Sequence, residues 1–169
     1  PHRERQRVLL TGLLPDITTD PAIETAIDSV EAGRSGTIVA PVGIRPPLLA
    51  AVASRAATPL VVLTATGRDA ESLTNALASW IPGVAMLPAW ETLPHERLSP
   101  QVDTMARRIA VLRRLVHPVK GDDSAGPLSV LVVPIRAFLQ PIISGLADLE
   151  PVRVRTGDIL DLTETTNRL

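Results

Sequence analysis

The chain has 169 residues, 45% of them hydrophobic, with 17 basic against 18 acidic side chains and no cysteine. That is enough apolar matter for a buried core, but the near-balance of charge gives no global field toward a nucleic-acid backbone, an anionic membrane or an acidic substrate. Without cysteine there are no disulfides, no thiolate chemistry and none of the usual structural zinc sites.

No stretch approaches the roughly 20 apolar residues of a membrane-spanning helix, and Pro1 to Arg7 is basic with no apolar core behind it. A soluble cytoplasmic globule is expected. The chain opens on proline and closes on Leu169 inside a helical pattern without a capping glycine, so both ends read as cut from something longer.

In chain order, Asp20 is a cap candidate and Pro21 a first helical residue, with Ile23, Ala26, Ile27 and Val30 at helical spacing behind them. Gly33, Ser35 and Gly36 break that helix, and the β-branched run Ile38 to Val42 predicts a buried strand. The pattern repeats with a helix over Pro46 to Ala57 and a strand over Leu60 to Thr64. A helix opened by Thr66 and Asp69 then carries Leu73, Ala76, Leu77 and Trp80. Val84 to Leu87 predicts a third strand, Val102 to Val116 a long helix, Val119 to Pro127 a polar loop and Leu128 to Val133 a fourth strand. Trp80 and Phe138 are expected in the core.

Strands alternating with helices predict an α/β fold, a mostly parallel sheet of about four strands flanked by helices. The expected division is a helical segment over 1–35, an α/β domain over 36–148, and over 149–169 the start of a further unit. There Val152 to Arg155 alternate as in a strand and Leu160 to Leu169 begin a helix.

Such a sheet places nucleotide sites in the turn after its first strand, where backbone N–H groups meet phosphate. Here that turn reads Ala40, Pro41, Val42, Gly43, Ile44, Arg45, Pro46, Pro47. A cradle of the G-x-x-x-x-G-K-S/T type needs free N–H groups and a lysine. This turn has one glycine, three prolines and no lysine, and the sole lysine of the chain is Lys120. Nor does the fourth expected strand end in an acidic residue for magnesium, since Val133 and Pro134 stand there. No ATPase, bound cofactor or catalytic residue is expected. Arg45 is either a solvated side chain or an anion contact at a helix start. His2, His95 and His117 are scattered, and His95-Glu96 lacks metalloprotease spacing, so no metal site is expected.

One segment is too long and specific for a simple turn. It runs Trp90, Glu91, Thr92, Leu93, Pro94, His95, Glu96, Arg97, Leu98, Ser99, Pro100, Gln101, Val102, Asp103, Thr104. A proline-stiffened loop carrying an aromatic and paired charges is either a functional element or a packed surface lid. On the helix after it, Val102, Met105, Ile109, Leu112 and Val116 share one face of the wheel. Arg107 and Arg114 lie opposite, and Arg108 and Arg113 flank the stripe. That is a solvated face or a basic docking face. The candidate docking residues are Trp90, Glu91, Leu93, Pro94, Arg97, Pro100, Gln101, Asp103, Arg107 and Arg108.

Trp90 to Leu115, with its W-E-T-L-P and S-P-x-x-D signals, resembles the N-terminal region of the bacterial transcription-repair coupling factors. A weaker likeness to the excision-repair protein UvrB runs through Pro100, Gln101, Asp103 and Thr104, which match that family's P-Q-x-D-T. The likeness covers residues 20–169. Two departures stand out: the phosphate loop of UvrB is degenerate here from Ala40 to Pro47, and its DNA-inserting tyrosine hairpin has no counterpart in a chain without tyrosine.

The resemblance implies a docking and regulatory module of a DNA-repair motor. UvrA would be recruited through the adjoining second subdomain, autoregulatory contacts would be made with other domains of the same protein, and RNA polymerase and DNA would be met only by other parts. A nucleotide-dependent UvrB-like damage sensor, or a module that binds DNA through Arg107, Arg108, Arg113 and Arg114, are the alternative readings. The second of these would be steeply salt-dependent.

Overall fold

The computed structural model describes residues 9–90 and 101–150. After a short 3-10 turn at Leu10–Leu13 the elements are α1 (Leu14–Thr18), α2 (Pro21–Glu31), α3 (Arg45–Arg55), β1 (Leu60–Thr64), α4 (Gly67–Leu77), β2 (Val84–Met86), α5 (Val102–Val116), β3 (Val130–Pro134) and α6 (Ile135–Phe138). A 3-10 turn at Leu146–Asp148 closes the described chain.

The helix starts follow from local chemistry. The Asp20 carboxylate accepts from the N–H groups of Ala22 at 2.8 Å and Ile23 at 3.3 Å, and Pro21 occupies a position whose N–H would be an orphan anyway. At α4 the Thr66 hydroxyl accepts from the Asp69 N–H at 3.1 Å and donates to the Asp69 carboxylate at 2.7 Å, a reciprocal cap built by the expected pair.

The sheet is all parallel, in the order β1-β3-β2. β3 pairs with β1 from Leu60↔Val130 to Thr64↔Pro134 and with β2 from Val84↔Val130 to Met86↔Val132. Every residue of β3 is buried, as a central parallel strand covered on both faces requires.

On one face Val130 and Val132 join Ala50, Ala51, Ala70 and Leu77 of α3 and α4, with Leu14 of α1 and Ile27 of α2 in the same cluster. On the other, Leu131 and Val133 pack with Leu87, Val111, Leu112 and Ala137. The alanine-rich face of α3 lets that helix sit close to its neighbours. Trp80 packs partly buried against the first cluster.

The fold class is the expected one, with three strands among the described residues instead of four. The run expected as the first strand, Ile38 to Val42, is not in the sheet: residues 34–41 are irregular, Val39 is 95% exposed, and Val42–Ile44 forms a 3-10 turn. After α2 the Arg34 N–H donates to the Ser29 carbonyl at 2.9 Å, and Ile38 and Val39 border a gap along Ala22, Ala26 and Val30 of that helix. The chain therefore runs back along α2, and Pro41 has no N–H to give to a ladder.

A second difference concerns Phe138, expected in the core and found 57% exposed. α6 has only four residues, and Ala137 takes the inward position. Nearby, Leu60 and Val62 of β1 pack against the first cluster while Val61 and Leu63, on the opposite face, remain 52% and 47% exposed.

Gly83 sets the entry to β2. Its φ is +73°, its carbonyl accepts from the N–H groups of Ser129 at 2.8 Å and Val130 at 3.2 Å, and a Cβ there would lie 2.9 Å from the Pro127 carbonyl oxygen. Gly83→Ala combines left-handed strain with a backbone clash, so urea unfolding should show a loss of at least about 1–2 kcal/mol. Gly36→Ala, where nothing lies within 4 Å, should leave stability almost unchanged.

Candidate functional site

Two places carry the residues singled out in the sequence: the turn before α3, and the region around Trp90 and α5.

The turn from Ala40 to Pro47 leads into α3 without any side-chain cap. The Ile44 N–H donates to the Pro41 carbonyl at 3.1 Å, the Arg45 N–H turns back to Val42, and Pro41, Pro46 and Pro47 have no N–H at all. Five of the eight residues of the turn therefore have no N–H to offer an anion. The turn instead borders a crevice of about 470 Å³ at the carboxyl end of β1, between α3 and α4, with Val42 and Leu49 among its walls and Arg45 at its edge. This is where an open parallel sheet places a ligand. A crevice and a donor-poor turn occur together here.

Around Trp90 the expected docking residues fare differently. Glu91, Leu93, Pro94, Arg97 and Pro100 lie outside the described residues. Gln101, Asp103 and Arg107 are exposed at the start and outer face of α5. Arg108, expected at the border of the apolar stripe and available for docking, is instead fully buried.

The inward face of α5 is Thr104, Arg108, Val111 and Leu112, about a quarter turn from the expected stripe, and Val102 and Val116 face solvent. The cause is a specific set of contacts that the wheel does not contain. The Arg108 guanidinium lies 4.5 Å from the centre of the Trp90 ring and donates through Nη1 to the Pro88 carbonyl at 2.6 Å. Trp90 is held in turn by Gln140: the Trp90 N–H donates to Gln140 Oε1 at 2.7 Å, and Gln140 Nε2 donates to the Trp90 carbonyl at 3.2 Å. Pro88 and Gln140 carry no mark in the sequence that would have singled them out.

Arg108 Nε and Nη2 are buried without a hydrogen-bond partner, and burial holds the guanidinium below its ordinary pKa. A cation in that state costs stability unless cation–π stacking and its one hydrogen bond offset the desolvation.

The other arginines are also committed. Arg113 donates to the Leu149 carbonyl at 3.2 Å and pairs with Glu150 at 3.5 Å. Arg114 Nε donates to the Gly126 carbonyl at 2.8 Å, and burial lowers its pKa while the Asp122 carboxylate opposes that shift. Of the four arginines offered as a DNA-binding face, Arg107 alone is exposed. Among the described residues no three metal-ligating side chains converge, and no helix is long and apolar enough to cross a membrane.

No family model matches the chain. Over 125 residues, 72% of its length, it is 47% identical to the transcription-repair-coupling factors of Mycobacterium bovis and of Mycobacterium tuberculosis. Over 96 residues, 56% of its length, it is 29% identical to the transcription-repair-coupling factor of Escherichia coli strain K12. The chain belongs to the transcription-repair-coupling factor family. It spans about a tenth of the length of the mycobacterial relatives it matches. In this stretch of a transcription-repair-coupling factor, the W-E-T-L-P signal begins at Trp90, the residue whose ring covers the buried arginine.

The Trp90–Arg108 contact is open to direct test. Arg108→Met keeps the bulk and removes the uncompensated charge, so stability should stay within about 1 kcal/mol of the parent or rise; Arg108→Ala opens a void under Trp90 and should cost about 3 kcal/mol. Urea unfolding followed by tryptophan fluorescence reads both. A large loss with methionine would mean that the charge itself stabilises the fold.

Proposed function

We propose that this chain is a docking and regulatory module of a transcription-repair-coupling factor acting in transcription-coupled nucleotide excision repair, and that it neither binds nor hydrolyses ATP. In this reading residues 149–169 open a second subdomain through which UvrA is recruited. The α/β unit holds that subdomain in place and contacts other domains of the same protein, and RNA polymerase, DNA and ATP are handled elsewhere in the parent translocase.

The observation that carries the docking role is the exposure of one face of the edge strand β1 among the described residues. Parallel sheets are normally covered on both faces. Here Val61 and Leu63 of β1 are bare on the face where α5 covers the rest, and Ile135, Phe138, Leu139, Ile142 and Ile143 are exposed in and after α6, which touches β1. A group of exposed large apolar side chains of this kind marks an interaction surface. The proline-rich, donor-poor turn before α3 supports the ATP-free part.

Three measurements test the proposal. Backbone hydrogen exchange over residues 138–143 should be at least about tenfold slower in the full-length protein than in this chain, as burial of an exposed surface segment requires; equal rates would remove the interdomain role. Calorimetry with ATP should give no binding heat, and ordinary enzyme affinity would overturn the ATP-free reading. Purified UvrA should be retained by a version extended through the second subdomain and not by this chain alone; equal retention would move the UvrA contact to the Trp90–Arg107 region.

A further inference from the structure

The crevice before α3 is open and mostly apolar. Its walls are Val42, Leu49, Val62, Leu73 and Ala76, and at about 470 Å³ it falls within the size range of small-molecule sites. The small side chain of Ala76 at the wall leaves that space open, where a larger one would close it.

The polar groups of the crevice are unequal. The Thr64 hydroxyl is occupied with the Thr66 carbonyl at 3.0 Å, and the Asp69 carboxylate accepts from the Thr66 hydroxyl as part of the α4 cap. Arg45 is the one cation among the lining residues, is exposed, and no described residue accepts from its guanidinium. The Ser72 hydroxyl also lines the crevice, so the chemistry on offer is an apolar slot with one hydroxyl and a single guanidinium fork. A phosphate dianion needs several converging donors and would meet the Asp69 charge with only one positive partner. A carboxylate matches one planar fork bidentately.

We propose that this crevice binds an apolar carboxylate, its hydrocarbon body against Leu49, Val62 and Leu73 and its carboxylate on Arg45. The inference rests on the reading that the crevice is not an ATP site, and the probes below separate the two. The same chemistry could be presented by a free organic acid or by adjacent apolar and acidic side chains of a polypeptide, so both are included.

The test is an NMR titration of the whole 169-residue chain, following the methyl groups of Leu49, Val62 and Leu73, with hexanoate, hexanol, a blocked Leu–Glu dipeptide and ATP as probes. Hexanoate should shift these methyls and bind about fivefold more tightly than hexanol, the size of effect an exposed ion pair gives. Arg45→Gln should abolish that preference and leave hexanol binding intact. Ala76→Phe should remove binding of both. A dipeptide that binds more tightly than hexanoate supports the site with a polypeptide as its source; weaker binding supports a free acid.

Equal affinity for acid and alcohol, shifts that survive Ala76→Phe in a variant with a folded spectrum, or no shift with any probe would overturn the inference. In the last case the ATP-free docking role stands. Competition by ATP at these methyls would overturn both.

Discussion

The parallel pairing of β3 with both of its neighbours is the constraint on which the rest of the architecture depends. Its hydrogen-bonding edges are taken by β1 and β2, and its side chains alternate between two clusters, Val130 and Val132 toward α3 and α4, Leu131 and Val133 toward α5 and α6. A strand enclosed in this way has no polar surface to offer, which is why the run from Val130 to Pro134 contains no polar side chain. Because β3 is last in sequence but central in space, β1 and β2 meet only through it, and the unit closes only when residues more than forty positions apart have paired.

The two faces of the sheet are finished differently. On the α3–α4 side, alanines at Ala50, Ala51 and Ala70 permit close helix–sheet approach and a third layer of α1 and α2. On the α5 side one helix covers β2 and β3 but not β1, and a buried arginine stands where an aliphatic residue would be simpler. The Trp90 ring and the Pro88 carbonyl offset part of its desolvation, and Gln140 fixes the tryptophan from across the molecule. These contacts tie the segment ending at Trp90, α5 and the end of α6 together by directional interactions, which specify one arrangement more strictly than apolar packing alone.

The functional proposals follow from the same asymmetry. A parallel sheet with a crevice at the carboxyl end of β1, bordered by a turn holding three prolines, is suited to holding something other than a nucleotide. A bare sheet face beside it suits packing against further protein. Burial of Arg108 and the internal contacts of Arg113 and Arg114 take those charges out of any phosphate-binding surface.

Most of the secondary structure was legible in the chain because its signals are local: Asp20 and Thr66 as caps, the apolar runs at β1 and β3, the 3.6-residue period of α4. The shortage of backbone donors in the turn before α3 was legible too, since proline lacks an N–H in any fold. The family likeness was carried by the W-E-T-L-P and S-P-x-x-D residues themselves.

What the sequence could not decide is where an apolar segment finds its partner. Ile38 to Val42 has the composition of a strand but runs along α2, because strand identity needs a free edge in reach. The face that α5 turns inward was likewise set by Trp90 and Pro88, residues more than a dozen positions away, and no helical wheel includes them. Local propensity and donor counts are properties of the chain; the choice of contacts across it belongs to the tertiary structure, where burial of one cation against one ring outweighed the apolar stripe.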